Sequence, residues 1–244
     1  MSIHFNAWGQ PVGPELPLWT PRPWPQAVVL QGKHCRLVPL RADAHAAALY
    51  QTWSETDDGR GWSWMSDGPF LREADFIAYA ARLESCRDAQ HFTVICQTSS
   101  RPLGTLALMR IDTASGVMEV GHVAFTPVLQ RTWMATEAHF LLMQYAFDTL
   151  GYRRVEWKCD SLNRPSRRAA ERLGFRYEGT FRQALVYKGR SRDTDWLSLL
   201  DSEWPANRTA LLSWLAEDNR DAEGQQRRPL RDFRNDESFP DKQA

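Results

Sequence analysis

The sequence predicts an α/β protein whose mixed, mostly antiparallel twisted sheet is flanked by helices. Apolar segments with the alternation of strands and segments with the repeat of helices follow one another along the chain. A single strand–helix–strand crossover lies between Val117 and Cys159, which indicates a mixed sheet. With 244 residues, 43% hydrophobic and 25% charged, the chain fits one globular domain with extensions at its ends.

Residues 1–34 are predicted to form an arm that packs on the domain. Residues 1–26 are rich in proline and tryptophan, and each proline fixes φ and removes a backbone donor. This stretch is therefore neither a helix nor an interior strand. We expect Trp8, Trp19 and Trp24 to anchor an extended arm, because large aromatic side chains are costly to leave in water. A docking peptide for another protein is the alternative.

The predicted domain occupies residues 35–217. Alternating or continuous apolar residues predict strands at 35–40, 92–97, 103–111, 117–125, 154–159, 175–181 and 194–200. Apolar residues at helical spacing predict helices at 42–52, at 72–86, after residue 132, at 165–173 and from 205 to 217. Residues 218–244 are charged and poor in apolar side chains, so we expect a disordered tail.

The loop between the first two helices carries three tryptophans, Trp53, Trp62 and Trp64, among polar residues. These side chains indicate either a mobile lid that stacks on a substrate or a small satellite core beneath the loop. The same loop contains four carboxylates, which would suit a cationic substrate: Glu55, Asp57, Asp58 and Asp67.

The longest predicted helix begins directly after the strand at 117–125. One face of it is apolar, with residues at i, i+4, i+7, i+8 and i+11: Met134, Ala138, Leu141, Leu142 and Tyr145. Its first N–H groups lack helical acceptors and, with the helix dipole, favour a phosphate. Further on, Pro165 begins a helix and Gly174 ends it, at positions that these residues favour.

The composition argues against nucleic acid, membranes and metals as partners. The chain has 30 basic and 30 acidic residues, so its net charge attracts neither nucleic acid nor an anionic membrane. Its cysteines show no CxxC pairing and its histidines no HExxH pattern, so no metal site is predicted. It lacks a long apolar run and a secretory signal pattern, so we expect a soluble, cytoplasmic protein.

Four short motifs stand out in the second half of the chain: QRTWMATE at 130–137, NRPS at 163–166, LGF at 173–175 and EG at 178–179. Together they resemble the GNAT superfamily of acyl-CoA N-acyltransferases, and more narrowly its RimJ/RimL-type branch. The resemblance covers about residues 35–204. It implies a splayed central strand pair that binds acyl-CoA. It also implies an enzyme that transfers an acetyl group from acetyl-CoA to a primary amine, by direct attack in a ternary complex.

The resemblance also implies the cofactor-binding residues. The signature loop before the long helix would hold the pyrophosphate of coenzyme A: Gln130, Arg131, Thr132, Trp133, Met134, Ala135 and Thr136. Trp133 stands where the family has glycine, which lets a backbone approach a phosphate closely. The pantetheine arm would lie along Val123, Ala124 and Phe125, with the N–H of Val123 facing the thioester carbonyl.

Asn163 and Ser166 match the N-x-x-S motif of the branch. The resemblance implies that Asn163 contacts the pantetheine arm or the adjacent backbone, and that Ser166 returns a proton to the leaving thiolate. Many relatives use a tyrosine at the position of Ala170, so Ser166 is the remaining candidate. Helix capping is the alternative role for this segment, because Pro165 makes a cap near Asn163 natural.

The general base is expected to be Glu119, acting through a water, or His122. They lie three residues apart on one strand and are therefore expected on opposite faces of the sheet, so that one of them faces the cleft. Asp193 and Asp195 are expected in a solvated turn, and entry into the cleft is the alternative for both. Some relatives that acetylate ribosomal proteins carry a carboxylate at the position of Leu185.

The acyl acceptor is therefore a protein N-terminus, a peptide or a small amine, and the sequence does not decide among them. The oligomeric state is also left open, with a homodimer as one alternative. A non-catalytic acyl-CoA-binding or sensor protein is the alternative function, because Trp133 and Ala170 depart from the family pattern.

Overall fold

The computed structural model describes residues 3–234 of the chain. The strands in this range are β1 His4–Phe5, β2 Pro11–Val12, β3 Leu30–Gln31, β4 Cys35–Pro39, β5 Ala89–Cys96, β6 Pro102–Asp112, β7 Val117–Phe125, β8 Arg154–Asp160, β9 Arg176–Tyr187 and β10 Arg190–Leu200. The α-helices are α1 Ala42–Thr56, α2 Glu73–Glu84, α3 Trp133–Gln144, α4 Arg164–Leu173 and α5 Trp204–Leu215. Short 3₁₀ turns lie at Arg60–Trp62, Glu217–Asn219 and Leu230–Phe233.

Eight strands form one sheet in the order β3-β4-β5-β6-β7-β8-β10-β9, while β1 and β2 form a separate hairpin. Every pairing of strands in the large sheet is antiparallel except that of β7 with β8. The parallel pair follows from the crossover, since α3 returns the chain from the end of β7 to the start of β8. The predicted mixed, mostly antiparallel sheet flanked by helices is confirmed.

The two parallel strands separate soon after they begin. Among the described residues they pair at three positions, Val117 with Arg154, Met118 with Val155, and Glu119 with Glu156. Both strands then continue, to Phe125 and to Asp160, with no pairing between them. The splay of the central pair is therefore confirmed, and it leaves a gap at the carboxyl ends of β7 and β8.

The helices divide between the two faces of the sheet. Helices α3, α4 and α5 cover one face and enclose the larger core, which includes Leu108, Met118 and Val155. Helices α1 and α2 cover the other face over a smaller core that contains Trp53 and Trp62. For these two tryptophans the satellite core is thus the correct alternative, whereas Trp64 is half-buried.

Helix α3 is buried on nearly all sides, so the prediction of an amphipathic helix is wrong. All residues from 136 to 143 are buried, because α5 and the β3–β4 strands cover the side that would face solvent. The helix also changes to a π-helical turn at Tyr145–Thr149. Even so, within residues 3–234 no helix is long and apolar enough to cross a membrane.

Glu137 fixes this buried helix to the beginning of the domain. Its carboxylate accepts hydrogen bonds from the backbone N–H groups of Lys33, His34 and Cys35, at 2.7, 2.8 and 2.7 Å. Three donors compensate the loss of water around a charge that is 5% exposed. The backbone turn before β4 therefore holds the N-terminal part of α3 in place.

The N-terminal arm is only partly anchored by its tryptophans. Trp19 packs under the guanidinium of Arg22, and its indole Nε1 donates a hydrogen bond of 2.8 Å to the carbonyl oxygen of Ala114. Trp8, in contrast, is 83% exposed, so the expectation that it anchors the arm is wrong. Trp8 belongs to the β1–β2 hairpin, whereas Trp19 reaches the β6–β7 turn.

The expected disorder of residues 218–244 is contradicted as far as the structure describes them. Residues 218–234 fold back on the domain, where Leu230 and Asn219 are buried. The side chain of Asn219 bonds the carbonyl oxygens of Trp214 and Arg228, at 3.1 and 3.2 Å. A few buried contacts thus order a segment with a charged composition. The remainder of the expected tail, residues 235–244, lies outside the described residues.

Charged side chains connect β7 and β8 where they still pair. The ammonium group of Lys158 lies 3.0 Å from Glu119 and 2.7 Å from Glu156, two carboxylates that face each other across the strands. Arg110 pairs with Glu119 and Arg154 with Glu156. Glu119, Glu156 and Lys158 are nearly buried, so Lys158 offsets the repulsion between two carboxylates in a region of low dielectric.

We predict that Lys158→Met destabilises the protein by about 3–5 kcal/mol, because it removes a buried cation from between two carboxylates. Urea unfolding at neutral pH measures the change. The control is Lys33→Met, which breaks an exposed ion pair with Glu217 and is expected to cost less than about 1 kcal/mol. Equal stability of the two variants would contradict the role given to Lys158.

Candidate active site

A β-bulge in β7 lies at the edge of the gap. Thr105 pairs with Ala124 and Ala107 with Gly121, so His122 and Val123 together oppose a single residue of β6. His122 has a φ of 48°, in the left-handed region that non-glycine residues rarely adopt. The bulge takes His122 and Val123 out of the β6–β7 ladder, so their backbone groups are displaced from the regular register.

The bulge also overturns the expectation that Glu119 and His122 lie on opposite faces of the sheet. Met118 and Val120 belong to the larger core, so Glu119 faces the side of α1 and α2. The ring of His122 packs on that same side against His91, at 5.2 Å between centroids. One extra residue between the two side chains reverses the alternation, so both lie on one face.

The environments of these two candidates for the general base differ. Both oxygens of Glu119 accept hydrogen bonds of 2.7 Å from Arg110, and Lys158 forms an ion pair with the same carboxylate. Glu119 is therefore already paired with two cationic side chains. Burial lowers the pKa of His122, against the opposing effect of the Asp67 carboxylate. His122 is therefore neutral near pH 7 and has a nitrogen lone pair for a proton.

The turn before α3 is ordered by its own side chains. Gln130 donates from Nε2 to the carbonyl oxygen of Phe125 at 2.7 Å, so its amide bonds the end of β7. Thr132 is the N-cap of α3 and its side chain accepts from the N–H of Ala135 at 3.2 Å. Arg131 has a φ of 61° and lies exposed at the top of the turn. The first N–H groups of the helix, those of Trp133 and Met134, have no acceptor within the helix.

The side chains of the other predicted cofactor-binding residues are mostly turned into the protein, so these residues offer backbone groups to a ligand. Thr136 is buried and its hydroxyl accepts from Arg172 at 3.0 Å, which directs it away from the turn. Ala124 and Phe125 are buried as well, and the Phe125 ring packs on His139 at 5.1 Å. Met134 and Ala135 pack partly against the larger core. Backbone N–H groups at a helix N-terminus are nevertheless well suited to an anionic ligand.

Asn163 and Ser166 lie at the start of α4, next to the diverging half of β8. Asn163 is the N-cap, and its side-chain oxygen accepts from the N–H of Ser166 at 3.1 Å, so the capping role is confirmed. The Ser166 hydroxyl accepts a hydrogen bond of 3.0 Å from Nε1 of Trp157, a residue of β8. An oxygen that accepts from an indole becomes a better donor through its own proton.

Trp157 is a residue of the site that the sequence reasoning missed. It is the first residue of β8 beyond the paired positions, and its ring is buried among His139 and Phe175. A buried indole N–H needs an acceptor, and Ser166 provides it. A tryptophan within a strand gives this signal in the sequence, but its partner depends on where α4 packs.

The four carboxylates predicted for the first loop lie at the end of α1, where Glu55 is, and in the loop that follows it, and each accepts a hydrogen bond or pairs with an arginine. Asp58 pairs with Arg60, and Asp67 with Arg82. Asp57 accepts from the N–H groups of Gly59 and Gly61, whereas Glu55 accepts from Gln51. Asp58 and Asp67 are therefore paired with arginines and do not support the acidic cleft expected for a cationic acceptor, which stays a prediction for Asp57 and Glu55.

The hairpin between β9 and β10 reaches this loop from the other side of the gap. Lys188 at its tip donates from Nζ to the carbonyl oxygen of Trp62 at 2.8 Å. Asp193 accepts from the N–H of Gln183, and Asp195 is 1% exposed and bonded to Thr180 and Arg167. The expected solvated turn is thus wrong for Asp195, which supports the hairpin from within.

The described residues contain no group of three or more histidine, cysteine, aspartate or glutamate side chains placed to hold a metal ion. The candidate groups at the gap are backbone N–H groups at the bulge and at the start of α3, together with His122 and Ser166. Groups of these chemical types can stabilise an oxyanion, bind a phosphate or move a proton.

Comparison with known proteins gives the same family by sequence and by fold. Residues 34–176 match the family model of the acetyltransferase (GNAT) domain. The chain is 29% identical over 165 residues to the uncharacterized N-acetyltransferase p20 of Bacillus licheniformis, an alignment that spans 65% of this chain and 89% of that protein.

Two solved structures extend the similarity over most of the chain. A GCN5-related N-acetyltransferase from Brucella melitensis superimposes with a TM-score of 0.88 at 47% identity, over 89% of this chain and 99% of that one. A probable acetyltransferase from Chromobacterium violaceum gives a TM-score of 0.75 at 42% identity, over 81% and 98%. The family model covers more than half of the sequence, and the splayed strands agree with it, so the chain belongs to the GNAT family of acetyltransferases.

Proposed function

We propose that the protein is an acetyl-CoA-dependent N-acetyltransferase of the RimJ/RimL-type branch, acting on a primary amine by direct attack in a ternary complex. The observation that carries the proposal is the gap between β7 and β8, with His122 and Val123 on one strand and Ser166, bonded to Trp157, beside the other. Acetyl-CoA supplies the activated acetyl group as its thioester.

The chain would hold this substrate mainly through backbone groups. The N–H groups of Trp133 and Met134, at the start of α3, suit the pyrophosphate, and the dipole of the helix favours its charge. The edge of β7 from Val123 to Phe125 lies open to the gap, where the pantetheine arm would pair like an added strand. The N–H of Val123, displaced by the bulge, would then bind the developing oxyanion.

His122 is the general base in this proposal, in preference to Glu119. An α-amino group has a pKa of about 8 and a lysine amine about 10.4, so a proton must leave before or during attack. A neutral imidazole at the gap can take that proton, whereas Glu119 is held by Arg110 and Lys158. Glu119 instead fixes the strands beneath the site.

Ser166 is the proton donor to the leaving thiolate. Its oxygen accepts from Trp157 and its N–H donates to Asn163, whereas its hydroxyl proton is shared with the Cys159 sulfur and would turn to the leaving thiolate. Asn163 acts by positioning α4, in agreement with its capping hydrogen bond. Burial raises the pKa of the neighbouring Cys159 thiol to about 11, and its hydrogen bond with the Ser166 side chain opposes that rise.

The acceptor is proposed only as a primary amine: a protein N-terminus, a peptide or a small molecule. Leu185 stands where some relatives that acetylate ribosomal proteins carry a carboxylate, and it lies on the exposed β9–β10 hairpin. A non-catalytic acyl-CoA sensor stays the alternative function. The cytoplasmic location and the homodimer stay predictions, and the four free cysteines are compatible with a reducing compartment.

We predict that Ser166→Ala lowers kcat by about 10- to 100-fold, because the thiolate then leaves without a placed acid. The affinity for desulfo-CoA should not change. Trp157→Phe, which removes the indole donor but keeps an aromatic ring, should cause a smaller loss. Ser161→Ala, in the turn just before α4, is the control and should keep full activity. Steady-state turnover of acetyl-CoA with a panel of amines measures these effects, and full activity of Ser166→Ala would contradict the role of this residue.

We predict an acidic limb in the pH profile of kcat/KM, which reports the free enzyme, with an apparent pKa below the ordinary histidine value of 6.5. Activity falls as pH drops through this pKa, because protonated His122 cannot accept the proton of the amine. In His122→Gln, kcat should fall about 100-fold and the limb should vanish. His45→Gln, which changes another histidine with a lowered pKa, should keep the limb. An unchanged pH profile in His122→Gln would contradict the role of His122 as the general base.

A further inference from the structure

Trp133 places a large side chain at the first position of α3, beside the N–H groups proposed to bind pyrophosphate. Its indole stacks on Trp214 of α5, with ring centroids 4.1 Å apart and planes 20° apart. The guanidinium carbon of Arg220 lies 4.0 Å from the centroid of the same ring. Since Trp214 covers one face of the indole, Arg220 covers the other.

The stack continues on the far side of Trp214. The guanidinium carbon of Arg172 lies 4.6 Å from the Trp214 ring, and Arg172 also donates to Thr136 on α3. We call the four side chains Arg220, Trp133, Trp214 and Arg172 the Arg–Trp ladder. It joins α3, α4, α5 and the C-terminal segment at the turn that precedes α3.

The C-terminal end of the ladder is itself fixed. A ring nitrogen of His34 lies 2.8 Å from Nη2 of Arg220, within hydrogen-bond distance. Nε1 of Trp214 donates to Gln226 at 3.0 Å, and Asn219 bonds the carbonyl oxygen of Trp214. The indole of Trp133 is therefore held between partners that cannot move independently of the domain.

We propose that the Arg–Trp ladder holds the Trp133 indole against the flank of α3 and so keeps the helix N-terminus open to the pyrophosphate of coenzyme A. Trp214 and Arg220 are then positioning residues for cofactor binding, although neither belongs to the signature loop. The inference rests on the proposed function and adds to it a dependence on residues 214–220. The family carries glycine at the position of Trp133, where no side chain needs to be held.

Without Trp214 and Arg220, the side chain of Trp133 would be free to adopt other rotamers. A side chain in the first turn of a helix has no preceding turn to restrict it, so the indole can rotate towards the N–H groups. Stacking and cation–π contact both favour the observed position. Their loss is expected to weaken cofactor binding by about tenfold, the size of effect that such contacts produce.

The test is calorimetric titration of desulfo-CoA into the full-length protein and its variants. Trp214→Leu should raise the Kd for desulfo-CoA about tenfold while changing kcat less than about twofold, because it acts on binding and not on chemistry. Trp133→Gly in the same chain should restore the Kd, since no indole is left to block the turn. It should not restore the thermal midpoint, which reports the packing lost at α5.

Trp204→Leu is the matched control for the loss of a buried tryptophan on α5. Trp204 packs on Phe147 and Phe140, away from the turn, so this variant should lose stability but keep its affinity for desulfo-CoA. Arg220→Ala, at the half-buried end of the ladder, gives a second test if Trp214→Leu does not fold. It should raise the Kd about threefold, and Trp133→Gly should again reverse the change.

The outcomes separate this inference from the proposed function. Wild-type protein that fails to bind desulfo-CoA would overturn the function, and the inference with it. Wild-type binding together with an unchanged Kd in Trp214→Leu or Arg220→Ala would overturn the inference alone. A raised Kd that Trp133→Gly does not reverse would assign the ladder a structural role and would also overturn it.

Discussion

The point at which β7 and β8 stop pairing determines the rest of the site. Lys158 holds the carboxylates of Glu119 and Glu156 together at the last paired position, and beyond it the strands diverge. A sheet that stayed paired would leave no free edge and no gap. Buried ion pairs add little net stability over apolar packing. We therefore infer that these charges mainly fix the position at which the two strands separate.

Backbone groups, more than side chains, supply the binding chemistry on either side of this gap. The bulge at His122 displaces the N–H of Val123, and the cap at Thr132 leaves the first N–H groups of α3 free. The start of α3 is held in place by the turn that Glu137 binds and by the Arg–Trp ladder. The unfavourable backbone conformation of His122 fits this view, because strain is kept where function needs a displaced group.

The order of strands and helices could be predicted from the sequence because it depends on local apolar spacing. The end of α4 at Gly174 and the cap at Asn163 follow from single residues with strong preferences. The bulge could not be predicted, since one inserted residue is invisible in an alternating pattern, and it reversed the face assigned to His122. Contacts such as Trp157 with Ser166, or Trp133 with Arg220, join distant parts of the chain and need the fold.

The central claim is that the cofactor lies between the diverging strands, and amide chemical-shift mapping with desulfo-CoA tests it most directly. The account predicts shifts for the N–H groups of residues 123–125 and 133–135, on both sides of the gap. It predicts none in the β1–β2 hairpin, which lies outside the large sheet. Saturable binding whose shifts fall outside the gap, or the absence of any shift at saturating ligand, would contradict the account.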